Sequence, residues 1–280
     1  MLRVENISKK FDDFELKNIS FHLEEGFIMG LIGPNGSGKT TLIKLIMNLL
    51  KADEGKIYFQ GRDISENPRE FKENIGFVYD NLYFYEHLKV KDFKRTVSSF
   101  YSKFDSEKFD NYLLKFNINK NEKIKNLSKG QNIKLMLANA LSHDAKLLIL
   151  DEPTSGLDPI FRKDIMNILQ EELENGDKSV IFSTHITDDL SRAADYITFI
   201  NDGKMIFSDE KEVISEKYKV IRCSKEELDN FDKELINRKD TDYYSEGLFI
   251  DDKNDVNNLN IQKASLEDII YYYGKECSHV

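Results

Sequence analysis

The chain opens with short apolar runs broken by charged turns. LRVEN at 2–6, FELKNISFHL at 14–23 and FIMGLI at 27–32 predict strands. From Thr40 the period lengthens, with Leu42, Ile43, Ile46, Leu49 and Leu50 at helical spacing, which predicts a helix over 40–50. KIYFQG at 56–61 follows the turn Asp53-Glu54-Gly55 and predicts another strand. Between Val90 and about Ala140 the pattern is mostly helical, with aromatics at Phe93, Phe100, Phe104, Phe109, Tyr112 and Phe116. Short apolar runs then alternate with helical stretches: KLLILD, IFRKDIMNILQEEL, SVIFSTH and DDLSRAADYI. The expectation is an α/β fold: a parallel core with an antiparallel β region at its N-terminal end and a helical insert at about 81–140.

After Gly203–Phe207 the composition turns to Lys, Asp and Asn, with short apolar pieces KVIRC, GLFID and SLEDIIYYY. This predicts a core over 1–207 and a small α+β accessory region over 208–280, and 280 residues suit one large domain with an appendage. No internal repeat is visible. Forty basic against fifty acidic residues give a net charge of −10, which argues against nucleic acid as a partner because phosphate neutralisation needs clustered cations. No apolar run approaches the roughly 18 residues of a membrane span, and the N-terminus lacks the apolar centre of a signal peptide. The cysteines, Cys223 and Cys277, lack metal-ligand spacing, as do the five histidines; together these features predict a soluble intracellular protein without structural zinc.

Chemistry enters with Gly33-Pro34-Asn35-Gly36-Ser37-Gly38-Lys39-Thr40, which fits G-x-x-x-x-G-K-[ST] between an expected strand and an expected helix. Glycines let backbone N–H groups turn inward onto phosphate oxygens, and the helix start adds its positive dipole end. Asn35, Gly36, Ser37, Gly38, Lys39, Thr40 and Thr41 would form the cradle. Lys39 would reach the β- and γ-phosphates and the Thr40 hydroxyl would ligate Mg²⁺. In LLILDE, four apolar residues predict a buried strand with Asp151 and Glu152 at its carboxyl end, where α/β sheets bind ligands. Asp151 would hold magnesium, and Glu152 would take a proton from the water attacking the γ-phosphate. Guanine reading is disfavoured: Asn119-Lys120-Asn121-Glu122 departs from Asn-Lys-x-Asp, and no Asp-x-x-Gly is present.

Between these two motifs stands Leu127-Ser128-Lys129-Gly130-Gln131 at the start of an apolar-periodic helix. The order of motifs resembles the ATP-binding cassette of ABC transporters over about residues 1–207, which implies a P-loop NTPase fold with a RecA-like core. The resemblance implies that Ser128, Gly130 and Gln131 meet the nucleotide held by a second subunit, with Lys129 departing from the family's glycine. Ser155-Gly156-Leu157-Asp158 resembles the D-loop, which places Asp158 at the dimer interface. His185, ending SVIFST, resembles the switch histidine at the γ-phosphate. Phe11, 39 − 11 = 28 residues before Lys39, resembles the aromatic that stacks on adenine, with Phe14 as its rival. Asp80 stands where the family's Q-loop carries Gln and where peptide-export cassettes often carry Glu, which implies contact with Mg²⁺ or the attacking water. The aromatics of NLYFY at 81–85 would suit docking of a membrane subunit, and SLEDIIYYY resembles the ending of drug and peptide exporter cassettes.

Taken together, the resemblance implies an ATPase subunit that dimerises, as a homodimer, around two Mg-ATP molecules. It would drive separate integral-membrane subunits, lie cytoplasmic and peripheral on the inner face of the cell membrane, and serve export of peptides, antibiotics or similar amphiphiles. The alternatives are a soluble ABC-type ATPase or a non-hydrolysing ATP-binding regulatory subunit.

Overall fold

A computed structural model describes residues 1–79, 86–174, 176–251 and 260–275. Strands β1 (Leu2–Lys10) and β2 (Glu15–Leu23) precede β3 (Ile28–Ile32), and helix α1 (Lys39–Ile46) follows the phosphate-loop motif. Next come β4 (Glu54–Phe59), β5 (Arg62–Asp63), α2 (Pro68–Glu73) and β6 (Ile75–Val78). The helical insert holds α3 (Val90–Ser98), α4 (Ser106–Lys115), a 3₁₀ turn (Ile124–Asn126) and α5 (Lys129–Leu141). The core resumes with β7 (Leu147–Asp151), α6 (Pro159–Leu173), β8 (Ser179–Thr184), α7 (Thr187–Ala193), β9 (Tyr196–Asn201) and β10 (Lys204–Glu210). The accessory region comprises α8 (Lys211–Lys217), β11 (Tyr218–Cys223), α9 (Lys225–Asp229), β12 (Leu235–Asp240), β13 (Ser245–Ile250), β14 (Ile261–Lys263) and α10 (Leu266–Lys275).

Among the described residues ten strands form one sheet in the order β5-β4-β1-β2-β10-β9-β3-β8-β7-β6. Its half from β9 to β6 is parallel, and β1, β2, β4 and β5 are antiparallel. Every residue of β3, β7 and β8 is buried, as continuous apolar strands covered on both faces require. One apolar cluster joins the parallel strands to α5, α6 and the insert. The other packs α1 between the antiparallel strands and the opposite face. The register places Ile32 beside Thr184, and Asp151 beside Ser183, so the carboxyl ends of three neighbouring strands share one edge. The site is built there.

Local signals set the helix ends. Asp105 and Asp158 accept the Lys108 and Phe161 N–H groups as N-caps of α4 and α6. The insert is tied to the core by Glu172 of α6, which takes hydrogen bonds from Lys108, Tyr112 and Lys178.

One expectation is corrected. The helix expected over 40–50 stops at Ile46, because Asn48 adopts φ 52° and turns the chain; Leu49 is left exposed. Phe100, within the aromatic series of the insert, is 69 % exposed. The compositional change near Ser208 falls inside a strand, because β10 continues pairing with β9 through Glu210. Beyond it, β12, β13, β11 and β14 form a second antiparallel sheet, in that order, against which α10 packs.

Candidate nucleotide site

The loop from Gly33 to Gly38 leaves the buried end of β3 and turns into α1 through Gly36 (φ 82°) and Gly38 (φ 111°), conformations that a side chain resists. Gly33 is required for a different reason. A Cβ there would fall 2.1 Å from the Ile200 carbonyl oxygen, so the loop lies directly on β9. The Lys39 side chain, 6 % exposed, curls under the loop and donates to the carbonyls of Gly33 (2.8 Å) and Pro34 (3.1 Å). Burial pushes its pKa down, opposed by the negative charges of Glu152 and Asp151.

Asp151 and Glu152 close the other side. The buried Asp151 carboxylate accepts from the Thr40 hydroxyl (3.0 Å) and from the Ser183 hydroxyl (2.5 Å). Ser183 in turn accepts the Glu152 N–H at 2.9 Å, so one hydroxyl orients both acidic residues. Glu152 has φ 50°, a left-handed conformation rare outside glycine, of the kind that clusters at functional sites. Its carboxylate lies 3.9 Å from Lys39 Nζ and 2.7 Å from His185 Nδ1. The segment carrying His185 is anchored by Asp189, which accepts from Thr154 (2.7 Å) and Thr184 (3.4 Å). These groups surround an open cleft of about 470 Å³ lined by Phe14, Asn35–Thr41, Glu152, Ser155 and His185.

The cleft suits a polyphosphate. The Ser37 hydroxyl is buried and has no hydrogen-bond partner among the described residues, an unmet polar group inside the cradle. Lys39 supplies a cation beneath it and the start of α1 a partial positive charge. Thr40 and Asp151 present a hydroxyl and a carboxylate on adjacent positions, oxygen donors of the kind Mg²⁺ takes alongside phosphate.

Asn35, Gly36, Ser37, Gly38, Lys39, Thr40, Thr41, Glu152 and His185 thus meet in one cleft, with Asp151 just behind it. Phe14 lines the cleft and packs on Gly38, whereas Phe11 lies outside the lining, 40 % exposed, its ring 6.4 Å from that of Phe14. Ser128, Gly130, Gln131 and Asp158 are also outside this lining. Ser128 and Gln131 cap the start of α5 reciprocally, and the Lys129 side chain lies over Gly156. Asp80 and the aromatics at 81–85 lie outside the described residues. Ser155, named in the D-loop resemblance, also lines the cleft, whereas sequence reasoning missed the roles of Ser183 and of the Thr154–Asp189 anchor. No local signal marks Ser183, whose role comes from its register beside Asp151 in the parallel sheet.

Comparison with known proteins gives a consistent result. The family described as ABC transporter matches residues 16–155. The ABC transporter ATP-binding protein YtrB of Bacillus subtilis is 31 % identical over 219 residues, covering 78 % of this chain and 75 % of that protein. The lantibiotic transport ATP-binding protein SrtF of Streptococcus pyogenes is 33 % identical over 213 residues, covering 75 % and 91 %. A dimeric cassette, MJ0796, solved in a post-hydrolysis state with ADP and Pi, superposes with a TM-score of 0.67 at 25 % identity, covering 75 % of this chain and 98 % of that one.

Proposed function

Because the chain belongs to the ABC transporter ATP-binding proteins, an ATP-hydrolysing family, we propose that the cleft between Lys39 and Glu152 is its hydrolytic centre. The observation carrying this reading is the convergence of an unmet Ser37 hydroxyl, a buried cation and a strained carboxylate on one cleft. Loop N–H groups, Ser37 and Lys39 bind the β- and γ-phosphates. Phe14, with Phe11 as the outer aromatic, flanks the base. Thr40 and Asp151 would hold Mg²⁺, joined by Asp80, and the ion would supply charge neutralisation at the phosphates.

Glu152 accepts a proton from a water whose oxygen forms a bond to the γ-phosphorus as the bridging bond to ADP breaks. The departing ADP takes the electron pair of that bond. His185, oriented against Glu152, contacts the γ-phosphate. Catalysis is positioning and charge stabilisation, with no covalent intermediate. Ser128, Gly130, Gln131 and Asp158 sit apart from this cleft, which supports their use on the nucleotide of a second copy in a head-to-tail homodimer. Ser128 opens a helix whose N–H groups favour an anion.

We further propose that residues 1–207 act as the cassette and 208–280 as an accessory domain, and that integral-membrane subunits are driven by dimer closure. Among the described residues no helix is long and apolar enough to cross a membrane. Attachment to the cytoplasmic face would therefore run through such partners. Export of peptides, antibiotics or related amphiphiles is supported by the likeness to a lantibiotic transport protein and by the SLEDIIYYY ending. Affinity capture from gently solubilised native membranes tests this. A co-purifying multi-span protein is expected, whereas ribosomes, nucleic acid or no membrane protein would overturn it.

A further inference from the structure

Helix α10 packs on the accessory sheet and borders a gap that shares His185 with the nucleotide cleft, and the hydrolysis described above gives it no task. Its start is self-capped: Asp268 N–H donates to Ser265 Oγ (3.1 Å), and the Asp268 carboxylate accepts from Ser265 N–H (2.9 Å). Late in the helix the carbonyls of Tyr272 and Tyr273 each accept a side-chain hydrogen bond from another element. Asn237 of β12 donates to the first and Asn201 of β9 to the second, each at 3.1 Å. One of these bonds therefore comes from the accessory sheet and the other from the core. On the accessory side the buried Tyr272 hydroxyl donates to Glu246 (2.7 Å), whose other oxygen takes Arg222 (2.5 Å).

On the core side the contacts lead to the cleft. Glu267 accepts a hydrogen bond from the Thr187 hydroxyl, two residues past His185. Ile270 and Tyr271 line an apolar gap of about 400 Å³ whose opposite wall is Gly33, Pro34 and His185. Asn201 directly follows Ile200, on whose carbonyl Gly33 rests, and Gly203 N–H donates to the Ser37 carbonyl (3.0 Å). The phosphate loop and the His185 segment thus share one support.

We propose that α10 is a strut through which the accessory sheet sets the position of His185, with Glu267 and Tyr271 as positioning residues. The proposal rests on the reading of His185 as a γ-phosphate contact. Glu267 fixes the first residue of α7, two residues after His185, and Tyr271 forms the far wall of the gap into which the imidazole could swing from Glu152. Neither residue lines the cleft formed by Asn35–Thr41, where the β-phosphate would bind. Their loss lowers kcat and leaves the KM for ATP nearly unchanged.

The test measures steady-state ATP hydrolysis by the full chain and by Glu267→Ala, Tyr271→Ala, Thr187→Ala, the Glu267→Ala/Thr187→Ala double variant and Glu267→Gln. Expected is a kcat loss of about fivefold or more in each single alanine variant with KM within about twofold of wild type. The double variant falls no further than the worse single, because both remove the same bond. Glu267→Gln, which still accepts from Thr187, recovers kcat to within about twofold of wild type. Wild-type kcat in the alanine variants, or a Gln variant as impaired as Ala, overturns the strut. His185→Ala separates the two readings. If it is inactive while the α10 variants are normal, only the strut fails; if it turns over normally, the His185 reading fails and takes the strut with it.

Discussion

Replacing Gly33 with alanine adds one carbon where the sheet already has atoms. The new Cβ would sit 2.1 Å from the Ile200 carbonyl oxygen and 2.6 Å from Ser37 Oγ. Carbon–oxygen contacts settle at about 3.3 Å or more, so strand and loop must part by about 1 Å. Ile200 cannot retreat, because it is buried in β9, which is paired with β3 on one side and β10 on the other. The phosphate loop must therefore lift. Overpacking of this kind costs about 1–3 kcal/mol of stability, and moving catalytic groups by about 1 Å costs on the order of 10²-fold in rate. Gly33 is not among the glycines with positive φ, so its effect is steric alone. Gly36→Ala is the control: at φ 82° with no atom within 4 Å of the added carbon, it carries only a conformational cost of about 1–2 kcal/mol. Thermal unfolding, nucleotide titration and steady-state phosphate release would be measured on both. A Gly33→Ala protein with wild-type melting, ATP affinity and turnover would refute the claim that the loop is seated on β9.

Two further outcomes follow from the same geometry. Lys39→Ala removes the buried cation beneath the loop and is expected to weaken ATP binding by about tenfold or more; unchanged affinity by calorimetric titration would count against the cradle. Glu172 tests the tie between insert and core. Burial pushes its pKa up, but hydrogen bonds from Lys178, Lys108 and Tyr112 outweigh this and hold the carboxyl below its ordinary value of 4.5. A depressed folded pKa means the stabilisation is present above about pH 4.5 and is lost as pH falls through the folded value. Glu172→Gln should therefore cost about 1.5–3 kcal/mol in urea unfolding at neutral pH, with a flatter acid limb than wild type; parallel acid limbs would contradict the assignment.

The contiguous parts of this molecule were readable in advance. The phosphate loop, Asp151 and Glu152 are each specified within a few residues, and β3 and β7 announce themselves as apolar runs, with a shorter one, Val180–Phe182, in β8, because both faces of these strands are covered. What depended on distant partners was not readable. Ser183 matters only because β8 lies in register with β7, which brings its hydroxyl onto Asp151. Phe11 and Phe14 are chemically equivalent in the sequence, and only the turn after β1 brings Phe14 onto Gly38. The early end of α1 hinged on one Asn taking a left-handed conformation. The reach of α10 to His185 joins residues some eighty positions apart, which no local pattern encodes.

The central claim is that Glu152 takes the proton from the attacking water in a cleft that otherwise binds ATP unaided. Glu152→Gln keeps the volume and an acceptor for His185 while removing the base. Steady-state phosphate release by this variant, with particle mass recorded with and without Mg-ATP, addresses the claim most directly. The account predicts retained ATP binding, a nucleotide-dependent dimer and turnover reduced by about 10²-fold or more. Wild-type turnover in a variant that stays monomeric with ATP would contradict it.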